Sequence, residues 1–372
     1  MAKPFHVDEN VSYPMSVGIR DVARVAGVST ATVSRALGRG PVSDAVREQV
    51  EAAVRATGYR PNLSARRLRS KAAQTIGLIV ADIRNPFFTA VSRAVEDAAY
   101  AAGMRVILCN TDEDPAREAM YLRLMEEERV TGVIFAPTKV TADGLRADSL
   151  SFPTVFIDRS GLPGAHDSVV LDNAAAAASL VDHLVAQGFK RIGGLFGSTS
   201  STARERQAGY AAAMARYDLA PLARSVAPNA AAAETEATRW LSQPDRPEAL
   251  ILSNGLMLMG AVRATRTLGL AVPKDLALAG FDNEPWTDLV EPGLTVIEQP
   301  VAEIGAQAMR LLFERIEHPG QPVRKVTLSG RAVLRSSTRR GGGLVIQCPL
   351  ARYPAFALPL RPTLGFLPRS LG

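Results

Sequence analysis

The sequence predicts an α/β protein in which a small all-α headpiece precedes two doubly wound lobes. From residue 75 onward, short apolar runs alternate with amphipathic helical segments, a pattern that favours parallel sheets covered by helices on both faces. Two short helical patterns separated by a glycine lie upstream, in residues 19–37. The charge is also segregated, with a net +7 in residues 16–75 and a net −5 in residues 76–338. A basic head on an acidic body is typical of a protein that binds nucleic acid.

The helix pair of residues 19–37 has the features of a helix-turn-helix unit. Gly27 provides the turn, where a positive φ costs least in glycine, and Ser29 can cap the second helix. A third helix is expected to begin after Ser43 and to end at Gly58. The predicted inward residues of the pair are small or branched and apolar: Val22, Ala23, Ala26, Val33 and Leu37.

The outward face of the second helix is short and polar, as a helix that enters the DNA major groove requires. Arg35 is the best candidate for a direct base contact, because its guanidinium can pair bidentately with guanine. An ordinary packed helix pair is the alternative for this stretch taken alone. The predicted DNA-facing residues are Ser29, Thr30, Ala31, Thr32, Ser34 and Arg35. The candidates for phosphate contact, of which about half are expected to be solvated only, are Arg20, Arg24, Arg35, Arg39, Arg47 and Arg55.

Two motifs together resemble a known family. The sequence DVARVAGVSTATVSRAL at residues 21–37 and GYRPNLSARRLR at residues 58–69 are similar to the headpiece and hinge helix of the lactose/galactose repressor family of bacterial transcription regulators. The resemblance extends over residues 19–338. It implies that Thr30 and Ala31 read base edges and that the chain acts as a dimer on double-stranded operator DNA.

The same resemblance assigns residues 61–74 to a hinge helix and linker after the headpiece of residues 18–60. Leu68 matches the leucine that the family inserts between base pairs in the minor groove, where an apolar wedge kinks the duplex. Simple packing of Leu68 against the body is the alternative. The predicted DNA-binding residues of this segment are Asn62, Ala65, Arg66, Leu68 and Arg69.

For residues 75–338 the resemblance implies an effector-binding core of the periplasmic-binding-protein type. We expect the first lobe at about 75–159 and 296–318 and the second at about 163–285 and 323–338. The chain is expected to cross between lobes near residues 159–163, 285–295 and 318–323. Residues 1–17 are expected to form a loose arm and residues 339–372, which are rich in proline, a disordered tail.

In doubly wound sheets, ligands bind at the carboxyl ends of the strands, so the residues after each apolar run are the candidates for effector contacts. By resemblance, the residues that hydrogen-bond effector hydroxyls in the cleft between the lobes are Asp158, Arg206, Asn254, Asp282 and Gln299. Aromatic rings can stack on a sugar face, and the candidates for this role are Phe87, Phe88 and Trp286. Trp286, and one of Phe87 and Phe88, can instead be packing residues.

One position departs from the family pattern. The family commonly has an aspartate after Asn254, and this chain has Gly255. The change removes a carboxylate and weakens the case for a neutral sugar. With Arg206, and with Arg84 or Arg159 nearby, a sugar acid is therefore a second possible effector class.

Several classes of protein are disfavoured. No apolar stretch reaches the roughly 18 residues of a membrane span, and residues 1–14 lack the apolar core of a signal peptide, so we expect a cytoplasmic protein without membrane partners. The two cysteines, 109 and 348, and the four scattered histidines have no metal-ligand spacing, so neither a metal nor a cofactor is expected. No phosphate-binding glycine loop or nucleophile motif is present, so we do not expect an enzyme.

The predicted function is that of a dimeric transcriptional regulator, in the sense of a repressor, of genes for carbohydrate or sugar-acid metabolism. A sugar or sugar acid would change its affinity for a pseudo-palindromic operator. The alternative is a solute-binding protein without DNA function, which would need a signal peptide and no headpiece.

Overall fold

The structure, a computed structural model, describes residues 18–37, 41–59, 74–146 and 149–340. The predicted arm (1–17), nearly all of the predicted hinge and linker (61–74) and the tail beyond residue 340 lie outside these residues. The chain forms two compact units. The first comprises the described residues up to Ile83 with Phe88–Val169 and Ala302–Val326, and the second comprises Arg84–Phe87, Val170–Val301 and the described residues from Thr327.

The described residues contain strands β1 Thr75–Val80, β2 Arg105–Asn110, β3 Gly132–Phe135, β4 Thr154–Ile157, β5 Asp167–Leu171, β6 Ile192–Gly197, β7 Leu222–Val226, β8 Ala249–Leu252, β9 Ala277–Phe281, β10 Thr295–Glu298, β11 Lys325–Leu328 and β12 Arg331–Val333. They contain helices α1 Ile19–Val25, α2 Thr30–Ala36, α3 Asp44–Thr57, α4 Pro86–Ala101, α5 Pro115–Glu127, α6 Lys139–Gly144, α7 Asn173–Ala186, α8 Ser201–Arg216, α9 Ala230–Leu241, α10 Gly255–Thr267, α11 Pro285–Leu289 and α12 Val301–Glu317. A 3₁₀ turn, Ser336–Thr338, ends the described chain.

The headpiece is the three-helix unit α1–α3, as predicted. Gly27 has a φ of 60° at the turn, and the Ser29 hydroxyl accepts a hydrogen bond from the Thr32 N–H at 3.0 Å. Both features follow from local sequence, since the glycine tolerates the left-handed backbone and the serine satisfies a free N–H of α2. Of the predicted inward residues, Leu37 is only partly buried, although it packs against the core, while the others are buried: Val22, Ala23, Ala26 and Val33.

The twelve strands of the remaining described residues form two six-stranded sheets. The strand order is β11-β5-β4-β3-β1-β2 in one sheet and β12-β10-β9-β8-β6-β7 in the other. In the first sheet, the four neighbouring pairs among β1–β5 are parallel. In the second sheet, the four neighbouring pairs among β6–β10 are parallel, and β12 runs antiparallel to β10. The prediction of doubly wound parallel sheets is confirmed. Since the carboxyl ends of parallel strands share one edge, each sheet has a single edge where side chains can meet.

The predicted crossings between lobes are wrong, because each lies later in the chain. Residues 167–171 were not predicted as a strand, yet β5 belongs to the first sheet. Asp167 at its start resembles a loop residue. It is buried because it accepts hydrogen bonds from the Arg315 Nε at 2.9 Å and the Arg324 N–H at 2.7 Å. A buried carboxylate is stable only with such partners.

The second and third crossings also lie later in the chain than predicted. Strand β10 was assigned to the first lobe, but it pairs with β9 and β12 in the second sheet. The segment from residue 323, which was assigned to the second lobe, contains two strands, with β11 in the first sheet and β12 in the second. Gly330 separates them, and a Cβ there would lie 2.6 Å from Ile297 Cγ2, so the close approach favours glycine.

Strand β7, at the edge of the second sheet, was also not predicted. Its side chains alternate between partly buried and exposed, and it contains Arg224, so it lacks the apolar run of a buried strand. Tyr210 fixes it, because the Tyr210 hydroxyl donates to the Ile192 carbonyl at 2.6 Å and accepts from the Leu222 N–H at 2.8 Å. Burial raises the pKa of Tyr210 to about 12, so this hydroxyl keeps its proton. No described helix is long and apolar enough to span a membrane.

The close packing of α8 on α7 leads to a stability prediction for Gly209→Ala. A Cβ at position 209 would clash with the Ala174 backbone, whose carbonyl carbon would lie 2.7 Å away. We expect the free energy of unfolding to fall by about 1–3 kcal/mol, although alanine favours a helix more than glycine does. Chemical denaturation would measure the change. Gly144→Ala is the matched control, because nothing lies within 4 Å of its Cβ; equal stability of the two variants would contradict the prediction.

Candidate functional site

The outward face of α2 presents a row of short polar groups to solvent. Ser29, Thr30, Ala31 and Arg35 are exposed, whereas Thr32 and Ser34 are partly buried. The hydroxyls of Ser29 and Thr32 lie 2.9 Å apart and form a hydrogen bond. A helix whose outward side chains are this short can approach base edges closely.

Arg35 extends from this row and is held loosely. Its Nε lies 3.4 Å from the Ala31 carbonyl oxygen and its Nη2 lies 3.5 Å from the Thr32 hydroxyl, both at the long end of hydrogen bonding. Within residues 18–37 and 41–59, the structure shows no acidic partner for its guanidinium. The forked donor group can therefore turn toward an external acceptor without breaking a strong internal contact.

Two of the predicted phosphate contacts have other partners. Arg47 Nη1 donates to the Ala36 carbonyl oxygen at 2.7 Å and so satisfies the carboxyl end of α2. Arg24 forms an ion pair with Asp21, one turn away on α1. Arg47 thus has a structural role at the end of α2, and its contact with phosphate stays a prediction. Arg39 and the hinge residues Asn62, Ala65, Arg66, Leu68 and Arg69 lie outside the described residues, and their roles stay predictions.

In the second unit, Arg206 lies at the carboxyl edge of the sheet and is 4% exposed. Its Nε donates to Asn173 Oδ1 at 2.8 Å, and its Nη1 donates to the Ser253 carbonyl oxygen after β8. The guanidinium carbon lies 4.0 Å from the centroid of the Phe281 ring, in cation–π geometry. These contacts hold the guanidinium plane in one orientation at the strand ends.

Asn173 and Ser253 are site residues that the sequence analysis missed. Asn173 begins α7 directly after β5, and its Nδ2 donates to Glu205 Oε2 at 2.8 Å. Recognition of β5 as a strand would have placed Asn173 among the residues that follow strands. Ser253 contributes mainly through its backbone carbonyl, which no side-chain pattern reveals.

Asp282, directly after β9, is the centre of a hydrogen-bonded group. Its Oδ2 accepts from the Gly255 N–H at 2.8 Å, and its Oδ1 accepts from Gln299 Nε2 at 2.7 Å. Asn254 Oδ1 caps α10 by accepting from the Met257 N–H at 2.7 Å. The structure thus brings together three predicted residues, Asn254, Asp282 and Gln299, at one edge.

The backbone at Asp282 is also unusual, because its φ is 76°. Asp158 has the corresponding feature in the first unit, with a φ of 65° directly after β4. Positive φ in a residue other than glycine costs of order 1 kcal/mol and is concentrated at functional sites. Among the described residues, Asp112, Glu113, Arg129 and Asp218 share this conformation, so it does not by itself mark an effector residue.

Trp286 and Glu284 form a pair that follows Asp282. The indole Nε1 of Trp286 donates to Glu284 Oε2 at 2.6 Å. Glu284 is 9% exposed, and burial raises the pKa of its carboxyl, which nearby Asp282 raises further while the Trp286 hydrogen bond opposes the change. No pattern in the sequence selects Glu284. Trp286 is partly buried and packs on the core of the second unit, so both of its predicted roles have support.

The remaining predicted effector residues are Asp158 and Phe88 of the first unit and Phe87, which belongs to the second. Asp158 Oδ2 lies 3.3 Å from Arg159 Nε, and Arg159 Nη1 contacts Glu113 Oε2 at 2.9 Å and the Pro137 carbonyl oxygen at 2.7 Å. Arg159 is 3% exposed, and its suggested role in binding an effector carboxylate stays a prediction. Phe87 and Phe88 are both buried at the start of α4, where the Phe87 N–H donates to Asn85 Oδ1 at 3.1 Å. Which ring, if either, meets a ligand stays a prediction.

Two domain families match the chain. Residues 18–62 match the family described as bacterial regulatory proteins of the lacI family, and residues 181–338 match a periplasmic binding protein-like domain. The first match covers α1–α3, and the second covers most of the second unit.

Curated relatives and solved structures show the same similarity. A ribose operon repressor of Halalkalibacterium halodurans is 34% identical over 87% of this chain and 97% of its own length. The transcriptional regulator PtxS of Pseudomonas plecoglossicida is also 34% identical, over 87% of this chain and 96% of its length. The crystal structure of the lac repressor dimer bound to operator and an anti-inducer matches with a TM-score of 0.76 and 26% identity, over 87% of this chain and all of that one.

Proposed function

Because the chain belongs to the lacI family of bacterial regulatory proteins, we propose that it represses genes of carbohydrate or sugar-acid metabolism by binding a pseudo-palindromic operator as a homodimer. A small metabolite bound at the carboxyl edge of the second sheet changes its affinity for that operator. By linkage, the operator changes the affinity for the metabolite by the same factor. The chain acts in the cytoplasm, where the DNA lies, and has no enzymatic activity.

The observation that carries this proposal is the exposed face of α2. Its base-reading groups are short and polar, and Ser29 and Thr32 fix the start of the helix. Arg35 extends beyond them as the longest donor on that face. A solute-binding protein without DNA function would have no use for this surface, so the headpiece favours the regulator over that alternative.

The proposed homodimer is supported by an apolar area on the first unit. Strand β2 lies at the edge of its sheet, and Leu108 on it is 42% exposed. Ile83 and Val106 line a hollow beside Leu108, and Tyr100 of α4 is largely exposed. Exposed apolar surface of this kind at a sheet edge marks an interaction site.

Operator binding tests the proposal directly. Labelled DNA fragments from the promoters that flank the gene would be titrated with the full chain. Fluorescence anisotropy would follow binding, with and without sugars and sugar acids. We expect tight, palindrome-dependent binding that one compound shifts, and light scattering should give twice the 39.6 kDa chain mass. Weak, salt-sensitive binding to every fragment would contradict a specific operator.

A variant of Leu68 tests the wedge that we propose for the hinge segment. Leu68→Ala should weaken operator binding by about tenfold or more, because loss of the apolar wedge removes the stabilisation of the kinked duplex. Binding to a scrambled duplex should change little, since it depends on phosphate contacts. An equal loss on both duplexes would mean that Leu68 supports the headpiece in general and does not enter the groove.

A further inference from the structure

The space over Gly255 is filled by the carboxyl group of Glu284. A Cβ built on Gly255 would clash with Glu284 Oε1, and it would lie 3.2 Å from Glu284 Cδ and 3.3 Å from Asp282 Cβ. The backbone of Gly255 does not have a positive φ, so conformation alone would admit a larger residue. The glycine is therefore matched to Glu284, and the carboxylate that position 255 lacks is supplied from position 284.

The two oxygens of Glu284 differ in their partners. Oε2 accepts the Trp286 indole N–H, whereas Oε1 is buried and has no hydrogen-bond partner in the part of the chain that the structure describes. A buried oxygen without a partner is unfavourable, and such groups usually have a donor in a side chain, a water molecule or a ligand. The start of α8, after β6 of the same sheet, has a second atom of this kind in the Ser201 hydroxyl.

The neighbouring acceptors are already satisfied. Asp282 accepts from Gly255 and Gln299 through its two oxygens, and Asn254 Oδ1 accepts from Met257. The unmet acceptor in this group is thus Glu284 Oε1. The nearby tryptophan, held through the other oxygen of the same carboxyl, adds an apolar ring beside it.

We propose that Glu284 is a specificity-determining residue whose Oε1, packed over Gly255, accepts a hydrogen bond from a hydroxyl of a neutral, polyhydroxylated effector. The inference rests on the proposed function, because it concerns the same effector site. A sugar hydroxyl can donate a hydrogen bond to Oε1, which a carboxyl oxygen accepts and an amide nitrogen cannot accept.

A sugar acid fits the same position less well. Its carboxylate would lie close to Asp282 and Glu284, and like charges repel strongly in a site of low dielectric constant. Arg206 keeps its positive charge, but its contacts with Asn173, Ser253 and Phe281 hold the guanidinium in one orientation. The packing of Glu284 over Gly255 therefore favours a neutral sugar over a sugar acid, the second effector class that the sequence suggested.

Calorimetric titrations of the full chain with matched pairs of ligands would test the preference. D-Glucose with D-glucuronate and D-galactose with D-galacturonate differ in a carboxylate at C6, and D-ribose extends the neutral set. We expect at least one neutral sugar to bind, and to bind at least tenfold more tightly than the sugar acids. Tighter binding of a sugar acid, or binding of neither class, overturns the inference.

Variants then test Glu284 itself. Glu284→Gln keeps the size and an acceptor for Trp286, and we expect at least a tenfold loss of sugar affinity with unchanged thermal stability. Glu291→Gln, an exposed acid in the same unit, is the control. Gly255→Asp alone should also lose sugar binding through its clash with Glu284, whereas Gly255→Asp combined with Glu284→Ala should recover part of it, because a carboxylate returns to the same space.

The outcomes separate this inference from the proposed function. Normal sugar affinity in Glu284→Gln, or no recovery in the double variant, overturns the role of Glu284 even if the protein binds its operator. Sugar binding that depends on Glu284 without any specific operator binding supports the site and contradicts the repressor proposal. The anisotropy titration on the same samples gives the second readout.

Discussion

Replacement of Arg206 by alanine is expected to abolish the response to the effector while operator affinity without effector stays within about twofold of the wild type. The guanidinium links the end of β8, through the Ser253 carbonyl, to Asn173 at the start of α7 and to the Phe281 ring at the end of β9. Its loss removes a hydrogen-bond donor for the effector and the group that orients Asn173 and the end of β8. The shift of the anisotropy titration on addition of the active sugar would measure the response.

The same contacts make a loss of stability expected in this variant. Asn173 Oδ1 and the Ser253 carbonyl would each lose a donor, at about 1–3 kcal/mol for a buried group. Thermal melting therefore accompanies each titration, and intact operator binding shows that the headpiece is folded. Arg216→Ala is the matched control, since Arg216 lies on the same helix, is exposed and pairs with Asp182.

Arg206→Lys separates charge from geometry. Lysine keeps the positive charge, but it lacks the planar fork that meets Asn173 and Ser253 together. We expect the response of this variant to remain at least tenfold weaker than that of the wild type. A normal response in either Arg206 variant would remove the residue from the effector site.

The headpiece could be predicted from the sequence because its determinants are local. Gly27, Ser29 and the spacing of Val22 and Val33 lie within one short segment, and each has the conformation or burial that its residue type favours. The alternation of apolar strands and helices likewise predicted the doubly wound sheets. These features depend on neighbours along the chain, so a single sequence suffices.

The errors arise where burial depends on distant residues. Asp167 is buried in β5 only because Arg315 and Arg324, which lie far along the chain, donate hydrogen bonds to its carboxylate. Strand β7 is held partly by Tyr210 of α8. In both segments, the charged residues are typical of a loop, and only their distant partners explain why the segments are strands.

The effector site shows the same division. Asp282, Asn254 and Gln299 follow strands, so the rule for parallel sheets selected them. Glu284 was missed because its significance comes from the packing of its carboxyl over Gly255, which is not visible in the local pattern. The sequence showed that position 255 lacks a carboxylate but not that position 284 supplies one.

Replacement of Arg35 by alanine is expected to cause the largest loss of operator affinity in the headpiece. A bidentate arginine–guanine pair contributes about 1–3 kcal/mol of discrimination, and a homodimer would lose one pair in each half-site. The internal contacts of Arg35 are long, at 3.4 and 3.5 Å, so its removal should leave the fold intact. Anisotropy titrations with operator and with a scrambled duplex of equal length would measure the loss.

The controls use arginines whose contacts are internal. Arg24→Ala breaks an exposed pair with Asp21 and should change operator affinity by less than about threefold, since such pairs contribute little. Arg47→Ala removes the donor to the Ala36 carbonyl and should lower the stability of the headpiece, which thermal melting would detect. A loss for Arg35→Ala that is selective for operator, with normal melting, indicates base reading. An equal loss on both duplexes means that Arg35 contacts phosphate, and the base-reading role then passes to the hydroxyl row of α2.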